Sequence, residues 1–171
     1  MIDRYLKREP HGWAVLGLIL GAWLLILAWI LLVAGIWLLL GLHPSDSNSE
    51  DLTKYKIDNS LGLSLVLFAV TAAVEELVER IVPLRIGVSL LPNKGIYVLV
   101  FVLAAGIAYL QMRHAFDVAL WLQSAGSSVL LSFVYLKCGG FARKFYKPAL
   151  CTYAVRMLEI VQAALLLFAL P

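Results

Sequence analysis

The run Glu75-Glu76-Leu77-Val78-Glu79-Arg80 places three carboxylates and a guanidinium near the end of an otherwise apolar stretch, Leu61 to Val82. A charge at the centre of a bilayer costs on the order of 2.5 to 3.5 kcal/mol on insertion scales, so such groups pair inside a bundle and often mark a site of function. On a helix, Glu76 and Arg80 stand four residues apart with the acid on the N-terminal side, the favourable order for an ion pair. Glu75 and Glu79 stack on the neighbouring face. Two carboxylates that share a low dielectric cannot both ionise cheaply, which makes Glu75 or Glu79 a candidate general base. The competing expectation is that these groups snorkel to the interface and merely end the helix.

The elements that must position this hexad are membrane helices. Of 171 residues, 62% are hydrophobic and 15% charged, against roughly 45 to 50% and about 25% in a soluble domain. The sequence therefore predicts an all-α fold, a polytopic helical bundle of about five spans, each needing roughly 20 residues. The spans are read as Gly12 to Leu42, Leu61 to Val82, Ile96 to Met112, Ala115 to Leu136 and Pro148 to Leu170. Residues 1–60 form an N-terminal anchor and a polar loop, and residues 61–171 form the core. The first run exceeds a signal-peptide core and lacks a small-x-small cleavage site, so it is expected to remain as an anchor. His43 to Ser60 reads as a solvated loop, with Ser45 or Asp46 able to start a short surface helix.

Pro83 lacks an amide hydrogen and disfavours helical geometry at Val82, so the second helix is expected to kink or stop one turn after Arg80. That would set the hexad close to a membrane face, with Arg85, Gly87, Pro92, Asn93 and Gly95 forming a re-entrant or interfacial connection. Five spans put the termini on opposite sides. One side collects nine basic residues, Arg4, Lys7, Arg8, Arg85, Lys94, Lys137, Arg143, Lys144 and Lys147, and the other Lys54, Lys56 and Arg113. By the positive-inside rule the N-terminus and the loop Lys137 to Lys147 are cytoplasmic, and the expected location is the bacterial cytoplasmic membrane. A net charge of +3 spread over short loops argues against nucleic-acid binding. Cys138 and Cys151 are too few and too far apart for a zinc motif and read as free structural thiols.

Glu-Glu-x-x-x-Arg at Glu75 to Arg80, after the apolar Leu67 to Val74, resembles the first motif of the CAAX-protease and bacteriocin-processing (CPBP) intramembrane proteases. Val134 to Gly140 resembles that family's Leu-Tyr-x-x-Thr-Gly-Ser segment. The resemblance spans about Leu61 to Met157 and implies a CPBP-like core, with Glu75, Glu76 and Arg80 at the site. Its second motif, Phe-x-x-x-His, is matched by Leu110 to His114 with Leu replacing Phe. If the chain is active, His114 would be an auxiliary group; beside Arg113 and Asp117 it also reads as an interfacial residue. The third motif, His-x-x-x-Asn, is absent: Thr152 replaces the His and Arg156 the Asn.

A hydroxyl cannot take a proton at neutral pH or serve as imidazole does. A permanent cation near Glu75 and Glu76 would occupy the lone pairs that an attacking water needs. Arg156 has two expected partners, the acids of the second helix or Glu159 three residues on. The resemblance with these departures implies a proteolytically inactive scaffold acting as a structural or accessory subunit, in contact with lipid and with other membrane proteins. Two alternatives stand beside it: a divergent endopeptidase using Glu75 and Glu76, and an unrelated accessory subunit of a large energy-transducing complex. No cofactor is implied, and a single His without a second ligand nearby makes a metal centre an unexpected feature. Gly17 and Gly21 read as a helix-contact pair, as does the small-residue patch Ala125-Gly126-Ser127-Ser128.

Overall fold

No charged residue and no proline interrupts the chain from Trp13 to Leu39, so nothing breaks its backbone ladder, and α1 (Trp13–Leu39) runs for 27 residues. The computed structural model describes residues 6, 8–41, 61–91, 93–111, 117–142 and 144–169. After α1 come α2 (Leu61–Glu75), a π-helical turn π1 (Glu76–Ile81), α3 (Val82–Leu90), α4 (Asn93–Gln111), α5 (Val118–Tyr135), a second π-turn π2 (Leu136–Gly140) and α6 (Tyr146–Ala169). Because α2, π1 and α3 follow without a break, the described residues form five helical rods and contain no strand. The polar loop His43 to Ser60 lies outside the described residues.

Among the described residues two helices are long and apolar enough to cross a membrane, Trp13–Leu39 and Val118–Gly140, and Lys94–Leu110 is a shorter apolar helix. These support a membrane protein.

Pro83 does not end the second rod. The helix continues to Leu90, with Pro83 in the first turn of α3, where a missing amide hydrogen is tolerated. The preceding π-turn absorbs the mismatch, because its wider i→i+5 spacing changes the register ahead of the proline ring. Two expectations are corrected as a result. The hexad sits midway along Leu61 to Leu90 rather than at its end, and Arg85 and Gly87 belong to the helix rather than to a connection after it. The chain reverses at Leu91, whose backbone is extended, as expected for a residue before proline.

α5 is the central rod, packing on α1, α4 and α6. One core cluster joins it to α1 and α6 through Ala22, Ile26, Leu131, Val134, Cys138, Cys151 and Val155. A second joins it to the α3 and α4 side through Ile81, Leu84, Ile96, Val100, Tyr135 and Leu136. Both cysteines are free and buried. Trp23 and Trp29, too far inside the first run for an interfacial belt, use their indole N–H groups between helices. Trp23 donates to Gln162 Oε1 at 3.0 Å and Trp29 to the Leu122 carbonyl at 2.9 Å.

Candidate functional site

Within the hexad, Glu76 and Arg80 face inward while Leu77 and Val78 are exposed. Glu76 and Arg80 are both buried, at 3% and 4% exposure, and they form a direct ion pair. Burial at that depth requires partners, and Arg80 finds a second on the central rod, its Nη2 donating to Ser128 Oγ at 3.2 Å. Ser128 is itself held within α5, where its carbonyl accepts from Ser132 Oγ at 2.8 Å. The charged motif read from the sequence does not include Ser128. Its signal was the small-residue patch Ala125 to Ser128, which permits close approach of a long side chain from a neighbouring helix.

Arg156 enters from α6 and meets acids on both sides. Its Nη1 donates to Glu159 Oε2 at 2.9 Å. Its guanidinium also lies 3.8 Å from Glu75 Oε2 and 4.0 Å from Glu76 Oε1. The two expected pairings of Arg156 are therefore both present, the local one as a hydrogen bond and the interhelical one as a looser ionic contact. Glu79 is half-buried and neighbours Glu75 and both guanidinium groups. Six ionisable residues from α2, π1 and α6 thus gather at one level, braced by Ser128 of α5.

Thr152 is fully buried. Its hydroxyl lies 3.2 Å from the Pro148 carbonyl and 3.0 Å from that of Ala149, so it serves its own helix and does not reach the acids. The next residue, Tyr153, donates its hydroxyl to the Ala69 carbonyl at 3.1 Å, pinning α6 to α2. One acceptor in the cluster is left over: Glu76 Oε2 is buried and has no hydrogen-bond partner among the described residues. His114 lies outside the described residues. Among those residues no group of three or more His, Cys, Asp or Glu side chains is arranged to hold a metal ion.

Of the basic residues assigned to one side, Arg85, Lys144 and Lys147 make contacts at one end of the bundle. Lys144 Nζ donates to Glu9 Oε2 at 2.8 Å, and Lys147 Nζ donates to the Pro10 carbonyl at 2.6 Å. The Arg85 guanidinium stacks over the Phe145 ring, 5.2 Å from its centroid. The loop proves shorter than Lys137 to Lys147, because π2 carries the fifth-helix backbone on to Gly140.

No protein-family model, no curated protein and no solved structure matches this chain.

Proposed function

We propose that this chain is a five-span membrane protein with a cytoplasmic N-terminus, on a scaffold resembling the CPBP proteases but without their hydrolytic chemistry. It serves as a non-catalytic membrane subunit or binding partner. The observation that carries this reading is the Arg156 guanidinium, set against Glu75, Glu76 and Glu159 at the position of the family Asn. A carboxylate that activates water needs a free lone pair facing it, and here both acids face a permanent cation. Thr152, bonded to its own helix, supplies no second proton acceptor. A partner-binding role draws support from α1, whose only buried residues are Ala22, Ile26 and Val33, leaving a long apolar flank for lipid or another subunit.

One observation favours a divergent endopeptidase instead: Glu76 Oε2 retains an unused acceptor that a water could occupy. Reconstitution in vesicles with prenylated and leader-peptide substrates separates the readings. The inert reading expects no cleavage above empty vesicles. Turnover that vanishes in Glu75→Gln or Glu76→Gln would overturn it. Comigration with a larger complex on purification from native membranes is the expected sign of an accessory subunit, and recovery of an isolated monomer counts against it.

A further inference from the structure

At the level of π1 the acids Glu75, Glu76, Glu79 and Glu159 meet only the guanidinium groups of Arg80 and Arg156. Four carboxylates against two cations leave a surplus of two negative charges when all are ionised. The neighbouring rods do not make up the difference, because neither α1 nor α5 contains a charged residue. The surplus shows in two places. Glu79 takes part in no hydrogen bond or ion pair among the described residues, and Glu76 Oε2 is buried without a hydrogen-bond partner among them.

The surplus reaches the outside of the bundle. The Glu75 side chain is 40% exposed, and Glu79, four residues on, is half-buried. Beside them runs an exposed ridge of Val70, Val74, Val78 and Val82, one every fourth residue and so on one continuous helix face. Glu79 and Glu75 precede Arg85 by roughly 9 Å and 15 Å at about 1.5 Å per residue, and Arg85 packs on Phe145 at the basic end. Half of the ~30 Å hydrocarbon thickness is about 15 Å, so the acids stand within one leaflet of that end. Hydrocarbon alone cannot solvate them, whereas a cation on an adjoining helix would pair with them. The valines suit such a contact, since β-branched side chains have little rotamer freedom to lose on docking. A second copy of this chain has no such cation to offer among its described residues. Arg80 is buried against Glu76 and Ser128, Arg156 is held by three acids, and Arg85, Lys144 and Lys147 are engaged at the basic end.

We propose that the face of α2 and π1 formed by Glu75, Glu79 and the valine ridge docks a membrane-spanning helix of another protein, one that presents a lysine or arginine at the depth of the two acids. The inference rests on the reading of the chain as a membrane-spanning binding partner, and it supplies the chemistry of what is bound. The ridge gives close packing between the helices, and the charge pair selects which helix is accepted.

The test reconstitutes the full chain in phosphatidylcholine vesicles with synthetic membrane-spanning leucine-alanine helices that carry lysine, glutamine or leucine at the middle position. Association is read by energy transfer between labels on the chain and on the helix. The lysine helix should bind roughly tenfold tighter than the glutamine and leucine helices. That advantage should disappear in Glu79→Gln and shrink in Glu75→Gln, with the helical circular-dichroism signal retained. The comparison among the three helices uses the unaltered chain, so it decides the matter even if a variant fails to fold. Equal binding of the three helices overturns the proposal, as does a lysine preference that survives in folded Glu79→Gln. Self-association of the chain that excludes the lysine helix and is lost in Glu79→Gln overturns it in favour of a second copy. An inserted chain that ignores the lysine helix overturns this docking face alone, whereas recovery of the chain in the soluble fraction overturns the membrane reading with it.

Discussion

Arg80 and Glu76 are nearly sealed from their surroundings, so each depends on the other for compensation of its charge. Arg80→Met would leave the buried Glu76 carboxylate with only the looser contact from Arg156 and should cost up to roughly 3 to 5 kcal/mol. Combining it with Glu76→Leu should recover most of that loss, as read by thermal unfolding in detergent. Thr152 presents the opposite case. Its hydroxyl serves carbonyls of its own helix, and Thr152→Val should change stability by no more than about 1 kcal/mol. A larger loss would mean that the hydroxyl has a role in the charge cluster. Outside the spans, the hydrogen bond from Lys144 holds the Glu9 carboxyl below its usual range. The folded group then gives up its proton more readily than the unfolded one. Its stabilisation is present above roughly pH 4.3 and is lost as pH falls through the depressed value. Lys144→Gln should flatten the acid limb of a melting-temperature profile, and identical profiles for both proteins contradict this.

At the scale of elements, the two π-turns decide what faces inward. Gly139 in π2 has φ of 118°, a conformation that L side chains rarely adopt, and an added Cβ would meet the Glu9 carboxylate at 3.2 Å. Gly139→Ala should therefore cost about 1 to 3 kcal/mol, measured as a fall in unfolding midpoint. Gly126 is constrained by packing: a Cβ there would collide with the Trp29 indole. Apolar run lengths made the five rods legible in the sequence to within a few residues at most ends. The first π-turn was not, because Pro83 signals a break to any reading that assumes α-helical spacing. The Glu76–Arg80 pair was legible from its i,i+4 spacing. The Ser128 contact joins residues 48 positions apart, and its existence depends on how two rods pack, which local spacing does not encode. The glycines show the same limit, since Gly17-x-x-x-Gly21 and the patch around Gly126 look alike in sequence. The first pair lines a cavity and the second touches a tryptophan.

At the scale of the whole molecule, the described residues include an interior belt of charge and a separate basic end. The belt joins α2, π1 and α6 through Arg156, while Glu9, Lys144, Lys147 and Arg85 tie the N-terminal segment and the loop before α6 to α3. The proposed cytoplasmic placement of the basic end predicts that membrane-impermeant thiol reagents added outside intact cells will not label a cysteine placed at exposed Lys144. Labelling from outside would reverse the orientation. The inert reading depends above all on the guanidinium of α6 being energetically coupled to the acids of the second rod. A double-mutant cycle of Arg156→Met with Glu76→Gln in bilayer-reconstituted protein measures that coupling. An interaction energy of about 0.5 kcal/mol or more between the two sites is expected; strictly additive losses would contradict the clasp.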